Sequence, residues 1–422
     1  MAAMKGSVAA LLFSAVMILG GCESPQKRDA GPFPMSDFWR ELNPGEPALE
    51  LVENPNEYPD FTKMLADKDL TLRALEQSIA YFKKPSSQKY YPYTRTTDGA
   101  SITHARQIAS LDALHRLVST AATPQELDLA MRRDFSVYRS VGRIERDGDR
   151  RTGEVLFTAY CQLEYDGSLV RTEEFKYPLF KKPEDLVKDD EGTPLGRRMP
   201  DGSTVPYYTR REIDTQNLLA GLELVWLRTR LEVYIVHVNG SAVINLADGT
   251  KMYVGYAGKT DRPYVGLGET MVKEGKIKKE ELSLQKIKQY FAANPTEADE
   301  YINRNESYVF FLQTDAGGPY GSIGCAVTPY RTIATDKSIF PRGSACAVST
   351  QVAALRPDGT TTPAEFVAFV CDQDTGGAIR APARCDIFVG KGKESESIAG
   401  HTQHVGRLYY FFLKAGASPQ GL

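Results

Sequence analysis

The sequence predicts a mainly β protein that begins with helices, and three features of the chain support this fold class. Before about residue 130, apolar side chains recur with helical spacing. From about Val155, short apolar runs are broken by Gly, Pro, Asp and Asn, which is typical of strands joined by turns. The last hundred residues keep this pattern and close with the apolar run Leu408–Leu413. A length of 422 residues further predicts two or three domains.

The composition is that of a folded protein without a strong charge bias. Hydrophobic residues make up 42% of the chain and charged residues 25%. The 51 Lys and Arg residues against 54 Asp and Glu residues give a net charge of −3. Such a chain has no long-range positive field that would gather nucleic acid, so we expect no nucleic-acid partner.

The N-terminus has the pattern of an export signal. Lys5 precedes the apolar run Val8–Leu19, which is too short to span a bilayer as a helix. The run ends in Leu-Gly-Gly before Cys22, which resembles the lipobox of bacterial lipoproteins, so residues 1–22 are predicted to be a signal peptide and Cys22 the site of lipid attachment. An ordinary signal peptide with a chance cysteine is the alternative. Glu23, by the habit of lipoproteins, favours the outer membrane over the inner one.

A tether and three helices are predicted next. Residues 23–60 contain seven prolines among polar residues, which predicts an extended tether. The first helix is predicted from a stripe of apolar residues at helical spacing: Leu65, Leu72, Leu75, Ile79 and Phe82. A second helix is expected near 102–118, and Thr123 before Pro124 predicts the capped start of a third.

Strands are predicted from there on, with one interruption. The run Leu231–Val238 before Asn-Gly predicts a strand and turn, and Ala242–Leu246 before Asp-Gly predicts the next hairpin. One helix interrupts the strands, with Ser283 as its cap and Pro295 at its end. Its buried face is predicted to carry Leu284, Ile287 and Phe291.

The cysteines and the common site motifs leave little sign of a cofactor. Five cysteines follow Cys22, so at least one stays unpaired, and the sequence leaves open one disulfide or buried free thiols. The segment Gly255–Thr260 resembles a phosphate loop but has Tyr253 where the first glycine is required. His401 and His404 have no neighbouring ligands in sequence. No metal or organic cofactor is indicated.

Three aspartates stand beside turns or strand starts in the glycine-rich C-terminal region. Asp336 precedes Phe-Pro-Arg-Gly, Asp374 opens Asp-Thr-Gly-Gly, and Asp386 opens Asp-Ile-Phe. Charge at three such positions indicates a chemical role. The alternative is that these are turn aspartates that accept backbone amides.

In these residues the sequence resembles the membrane-bound lytic murein transglycosylase A family, bacterial lipoproteins that cut the glycan strands of peptidoglycan. The three aspartates match those of the family's C-terminal 3D module. The other matching segments, in chain order, are Tyr208–Ile213, Val254–Gly258, Ser307–Phe311, Gly318–Gly324, Thr328–Arg331, Gln373–Arg380 and Asp386–Gly390.

The resemblance implies a fold and a substrate. The expected fold is a double-psi β-barrel formed by residues 61–162, which include the N-terminal helices, together with residues 313–418. A second β-rich domain, residues 163–312, is expected to be inserted between them. Peptidoglycan glycan strands would lie in the groove between the two domains, and the membrane would be reached through the lipid on Cys22. The protein would be a monomeric outer-membrane lipoprotein that faces the periplasm.

The resemblance also implies a mechanism with a single acid. Asp386 would protonate the glycosidic oxygen between N-acetylmuramic acid and N-acetylglucosamine, and would then take the proton of the muramoyl C6 hydroxyl as a 1,6-anhydro ring closes. The pKa of this acid should be raised, by burial or by the charge of Asp374. Asp374 and Asp336 would position the groove and the substrate. The implied glycan contacts are Thr158, Tyr160, Ser241 and Arg380.

Two segments depart from the family pattern. The family has Thr-Gly-Tyr-Tyr where this chain has Thr158–Cys161, and Gln-Gly-Ser-Gly where it has Asn239–Ala242. These changes leave open a catalytically silent, peptidoglycan-binding envelope lipoprotein. A hydrolase that uses Asp386 with a second carboxylate and water is a further alternative.

Overall fold

The computed structural model describes residues 35–145, 150–189, 194–278, 282, 284–315, 318–376 and 379–414. The predicted signal peptide with Cys22, the first part of the tether and Ser283 lie outside these residues. The helices are α1 (Lys68–Phe82), α2 (His104–Thr120), α3 (Pro124–Asp134), α4 (Arg210–Gln216), α5 (Arg230–Asn239), α6 (Leu267–Lys273), α7 (Leu284–Ala293), α8 (Ala298–Asn303) and α9 (Lys393–His401). The strands are β1 (Leu49–Leu51), β2 (Phe135–Ser140), β3 (Val155–Gln162), β4 (Glu164–Gly167), β5 (Tyr177–Phe180), β6 (Leu186–Lys188), β7 (Pro194–Arg198), β8 (Thr204–Val205), β9 (Glu223–Leu227), β10 (Ser241–Leu246), β11 (Lys251–Lys259), β12 (Val309–Thr314), β13 (Thr332–Ala334), β14 (Ala345–Leu355), β15 (Thr361–Asp374), β16 (Arg384–Lys391) and β17 (Gln403–Leu413).

The largest sheet has eight strands in the order β1-β2-β17-β14-β15-β13-β16-β3. Because β17 also pairs with β3, the six strands from β17 to β3 close into a barrel. The barrel is mixed, since β13 runs parallel to β15 and β16 runs parallel to β3. The prediction of a mainly β protein with helices is confirmed.

Three helices cover one side of the barrel near their predicted positions, except that Leu65 lies in a short 3-10 helix, Phe61–Leu65, before α1. Leu75 and Phe82 of α1 are buried and belong to one core cluster with Phe369 and Phe411 of the barrel strands. In α3 the predicted cap is present, since the Thr123 hydroxyl accepts the backbone N–H of Glu126 at 3.2 Å. The apolar stripes thus place the helices on the barrel.

A second sheet is formed by strands between residues 164 and 314, in the order β12-β11-β10-β4. Strands β10 and β11 form the predicted hairpin, which turns at Gly249 with a φ of 82°. Strand β4 follows β3 of the barrel after one residue, so this sheet is joined directly to a barrel strand. The predicted helix before Pro295 is α7, and its three predicted apolar residues are buried.

The prediction of a tether over residues 23–60 is wrong for the part that begins at residue 35. Strand β1 pairs with β2 in the eight-stranded sheet, and Leu49 is completely buried. Phe38 is buried against Leu156 and Ala383. The apolar residues between the prolines outweigh the extended preference of the segment, because their burial on the barrel is favourable.

The prediction of a strand over Leu231–Val238 is also wrong, because these residues lie in helix α5. A capping box of Thr229 and Glu232 starts the helix, and Gly240 ends it with a φ of 72°. Its residues 233–238 are all buried, so the sequence lacks the one-sided stripe of a surface helix.

Two further properties concern the thiols and the membrane. The five described cysteines are buried and free. Among the helices of the described chain, none has the length and apolar composition that a bilayer span requires.

Candidate active site

The barrel brings two of the three predicted aspartates to either side of one short strand. Ala334 of β13 lies opposite Asp374 of β15 and opposite Asp386 of β16. On the next strand, β3, Thr158 lies opposite Asp386. Strands that are distant in sequence thus place two carboxyl groups and a hydroxyl in one row across the sheet.

Asp386 has few hydrogen-bond partners and a nearly closed environment. The Thr158 hydroxyl donates to its Oδ1, and its side chain is only 15% exposed. The Arg384 guanidinium lies 3.9 Å from the same oxygen. Burial raises the pKa of Asp386 to about 6, the Arg384 charge opposes this rise, and the Asp374 charge adds to it. This carboxyl group can therefore carry a proton close to neutral pH.

Asp374 has a well-bonded carboxylate. Its Oδ2 accepts the Tyr160 hydroxyl at 2.8 Å, and its Oδ1 accepts the backbone N–H groups of Ser322 and Thr375 at 2.9 and 2.8 Å. Burial raises the pKa of Asp374, and these three hydrogen bonds oppose that rise because they favour the ionised form. Of the two acids, Asp386 is thus the better proton donor.

Asp336 is buried and holds a loop. Its Oδ1 accepts the backbone N–H and the hydroxyl of Ser338 at 3.0 and 2.6 Å, and its Oδ2 accepts the N–H of Ala381 at 3.2 Å. Ala381 has a φ of 84°, which is unfavourable for alanine. Arg380 reaches the same carboxylate at 3.7 Å. Asp336 therefore fixes the segment that leads into β16 and Asp386.

Ser241 lies in the second sheet, on the strand that pairs with the continuation of β3. It begins β10, which runs parallel to β4 with Val243 opposite Glu164. Because β4 continues the line of β3, the start of β10 lies toward the end of β3 that carries Tyr160. The ring of Tyr160 packs against Phe388 at 5.2 Å between centroids. Thr158 with Asp386 and Tyr160 with Asp374 are thus joined by hydrogen bonds, whereas Ser241 is placed near the end of β3 by strand register alone.

Sequence reasoning missed two residues of this site, Arg384 and Trp39. Arg384 is fully buried, its Nη2 donates to Thr158 Oγ1 at 3.3 Å, and its guanidinium lies 4.6 Å from the Trp39 ring centroid. Its Nε and Nη1 have no hydrogen-bond partner in the described part of the chain. Arg384 lies two residues before Asp386 in one strand, and strand alternation places both side chains on the same face, so the sequence could have indicated Arg384. Trp39 gave no signal, because it lies in the predicted tether.

The departures from the family pattern lie mostly in the core. Ala159, Cys161 and Ala242 are buried members of the main core cluster. Ala159 and Ala242 are not among the residues with positive φ, so their methyl groups cause no backbone strain. Burial raises the pKa of the Cys161 thiol to about 12. These changes therefore affect packing beneath the site.

No cluster of His, Cys, Asp and Glu suited to a metal ion occurs among the described residues.

Two models of known protein families match this chain. A family model described as the MltA specific insert domain matches residues 156–312, and a model of the 3D domain matches residues 331–412. The chain belongs to the membrane-bound lytic murein transglycosylase A family. Thr158, Tyr160 and Ser241 lie in the first matched region, and the three aspartates lie in the second.

Two relatives of this family show the extent of the similarity. The membrane-bound lytic murein transglycosylase A of Vibrio cholerae is 31% identical over 268 residues, which are 62% of this chain and 66% of the relative. The protein of the same name from Escherichia coli K12 is 27% identical over 275 residues, 65% of this chain and 70% of the relative. The chain thus matches about two thirds of the length of these relatives.

Solved structures of the family have the same fold. A membrane-bound lytic murein transglycosylase from Agrobacterium tumefaciens has a TM-score of 0.68 at 23% identity, and covers 88% of this chain and 99% of its own. The Escherichia coli structure with bound chitohexaose has a TM-score of 0.63 at 21% identity, and covers 87% and 94%.

Proposed function

We propose that this protein is a lytic transglycosylase that cleaves the β-1,4 bond between N-acetylmuramic acid and N-acetylglucosamine in peptidoglycan. The observation that carries the proposal is the environment of Asp386, a nearly buried acid whose pKa is raised to about 6 beside a second, well-bonded carboxylate. The relatives carry the name lytic murein transglycosylase, and a structure of the same fold was solved with chitohexaose bound.

The reaction needs one acid and no water. Protonated Asp386 gives its proton to the glycosidic oxygen, and the bond from this oxygen to C1 of the muramoyl ring breaks. The Asp386 carboxylate then takes the proton of the C6 hydroxyl while O6 bonds to C1. The product has a 1,6-anhydromuramic end, and Asp386 is protonated again. Since the nucleophile belongs to the substrate, the protein's task is to hold the ring in a reactive shape.

The contacts of Asp374 favour this single-acid reaction over hydrolysis. A hydrolase needs a second carboxylate free to act as base or nucleophile. Both oxygens of Asp374 are engaged, by one hydroxyl and two backbone amides. We assign Asp374 to positioning and to raising the pKa of Asp386.

The other site residues fall into two groups. Thr158, Tyr160, Ser241 and Arg380 are the proposed glycan contacts, and Thr158 also orients the acid. Asp336 holds the loop before β16.

The remaining expectations belong to the same proposal. They are the double-psi form of the barrel, the division into residues 61–162 with 313–418 and an insertion over 163–312, and the monomeric state. Lipid attachment at Cys22 and a place in the outer membrane are supported by the lipobox and by relatives that are named membrane-bound. A silent glycan-binding lipoprotein is the second candidate, but its main support has weakened because Ala159, Cys161 and Ala242 lie in the core.

The test uses the soluble chain that starts after Cys22, with purified peptidoglycan sacculi and mass spectrometry of the released fragments. We expect anhydromuropeptides from the wild type and from a control, Asp358→Asn, which changes an exposed turn aspartate in the same module. Asp386→Asn should release at least about a hundredfold less. Reducing-end muropeptides would show hydrolysis instead, and binding without release would show a silent glycan-binding protein.

A further inference from the structure

One face of the second sheet extends from Ser241 along two glycines. Ser241 lies opposite Gly255, and Gly255 lies opposite Leu312, so these three residues share a face. Past a bulge, Gly258 lies opposite Phe310, which is on the same face as Leu312. Leu312 is 45% exposed. On this face β11 therefore carries two glycines, Gly255 opposite Ser241 and Gly258, which is buried.

Two lysines stand beside the second of these glycines, Gly258. A methyl group on Gly258 would meet the Leu186 side chain at 3.1 Å, Lys188 Nζ at 3.3 Å and the Lys182 side chain at 3.4 Å, so Leu186 covers the glycine and both lysines come close to it. Lys188 Nζ also lies 3.5 Å from the carbonyl oxygen of Ala257. The two lysines thus lie beside β11, three residues beyond Gly255, which is opposite the proposed glycan contact Ser241.

The positive charge of this pair is not neutralised within the described part of the chain. By comparison, Lys251 at the start of β11 has a carboxylate partner, since its Nζ lies 3.1 Å from Glu164. No described carboxylate forms an ion pair with Lys182 or Lys188. Burial and the Lys182 charge together lower the pKa of Lys188. Binding of an anion would relieve this repulsion.

The spacing fits a group carried by the sugar at Ser241. Gly258 is three residues from Gly255 along β11, which at about 3.4 Å per residue is about 10 Å. In peptidoglycan the muramoyl residue bears acidic substituents: the lactyl carboxylate when it is unsubstituted, or a stem peptide with its own carboxylates.

We propose that Lys182 and Lys188 bind a carboxylate carried by the muramoyl residue of the bound glycan strand. The inference rests on the proposed function, since it assumes that the strand lies at Ser241. This contact would allow the protein to select muramoyl glycan over a neutral polymer of N-acetylglucosamine.

The test measures dissociation constants by isothermal titration in the Asp386→Asn background, so that ligands are not cut. Three ligands are compared: soluble glycan fragments with stem peptides, the same fragments after the peptides are removed, and chitohexaose, which has no carboxylate. The double variant Lys182→Gln/Lys188→Gln should bind carboxylate-bearing ligand about tenfold more weakly, as expected for lost charge-assisted bonds. Lys182→Arg/Lys188→Arg should retain binding, and chitohexaose affinity should not change.

Lys259→Gln is the matched control, because Lys259 follows Gly258 on β11, lies opposite Val309 and faces the other side of the sheet. Weakening only with peptide-bearing fragments identifies the stem carboxylate, and weakening only with stripped fragments identifies the lactyl carboxylate. Equal affinities of wild type and Gln variant for both fragments, or an equal loss for chitohexaose, would overturn the inference. Binding does not depend on turnover, so the absence of anhydro products would contradict the proposed function alone.

Discussion

The Asp372–Lys337 pair and the Asp386–Arg384 pair of the barrel have different surroundings. Inside it, Asp372 is fully buried and accepts the Lys337 ammonium, the Thr335 hydroxyl at 2.9 and 2.8 Å, and the Tyr410 hydroxyl at 2.9 Å. Each carboxylate oxygen thus has partners.

The Asp386 pair lacks this saturation. Asp386 accepts one hydroxyl, and its basic partner Arg384 stands 3.9 Å away with two unpartnered nitrogen atoms among the described residues. A buried pair whose carboxylate oxygens all have hydrogen-bond partners stabilises the fold only while both partners are present. An unsaturated pair leaves the acid able to exchange its proton, which is what the proposed reaction requires. The difference separates a structural carboxylate from a reactive one in the same barrel.

The largest expected effect comes from Asp386→Asn. Loss of general acid and base catalysis should lower turnover by about 10²–10⁴-fold. The variant should still fold and should lose less unfolding free energy than Asp372→Asn, because Arg384 lies 3.9 Å from Asp386 and donates no hydrogen bond to it. Muropeptide release and differential scanning calorimetry measure the two quantities. A variant that loses its fold together with its activity would contradict the contrast with Asp372.

Asp372→Asn should lower the stability of the fold and leave the activity of the folded protein in place. It leaves the Lys337 ammonium, whose side chain is 4% exposed, without a counter-charge. Removal of one partner of a buried pair costs about 3–5 kcal/mol of unfolding free energy. Urea denaturation measures this loss, and activity per folded molecule should persist. The double variant Asp372→Leu/Lys337→Met should recover part of the stability; if it does not, the ion pair is not the cause.

The sequence indicated the acids but not their arrangement. Asp374 and Asp386 were found because each stands beside a turn or strand start, whereas their placement on either side of Ala334 depends on the order of strands in the barrel. Such non-local pairing leaves no local pattern. The strand predicted in place of α5 was a different kind of error, since the capping box of Thr229 and Glu232 was present in the sequence.

Arg384→Met should shift the pH dependence of the reaction. The Arg384 charge favours the ionised form of Asp386, so its removal raises the pKa of that acid above about 6. Because the protonated acid starts the reaction, the alkaline limb of the rate profile should move to higher pH, by about one unit. Arg384→Lys, which keeps the charge, is the control. Initial rates of muropeptide release between pH 4 and 9, about the range in which such a carboxyl titrates, check the shift. A limb that moves to lower pH would contradict the assignment.

Trp39→Leu should have the smallest effect, a shift of the alkaline limb in the direction opposite to that of Arg384→Met. The Trp39 ring covers the Arg384 guanidinium at 4.6 Å. A smaller side chain admits water to the pair, and water weakens the burial that raises the pKa of Asp386. The alkaline limb should then move to lower pH by a few tenths of a unit, whereas Trp39→Phe, which keeps an aromatic cover, should leave it in place. Opposite shifts in Trp39→Leu and Arg384→Met would separate the two influences on the acid, since loss of water exclusion lowers its pKa and loss of the charge raises it. Shifts of the same sign would mean that Trp39 acts only by holding Arg384 in position.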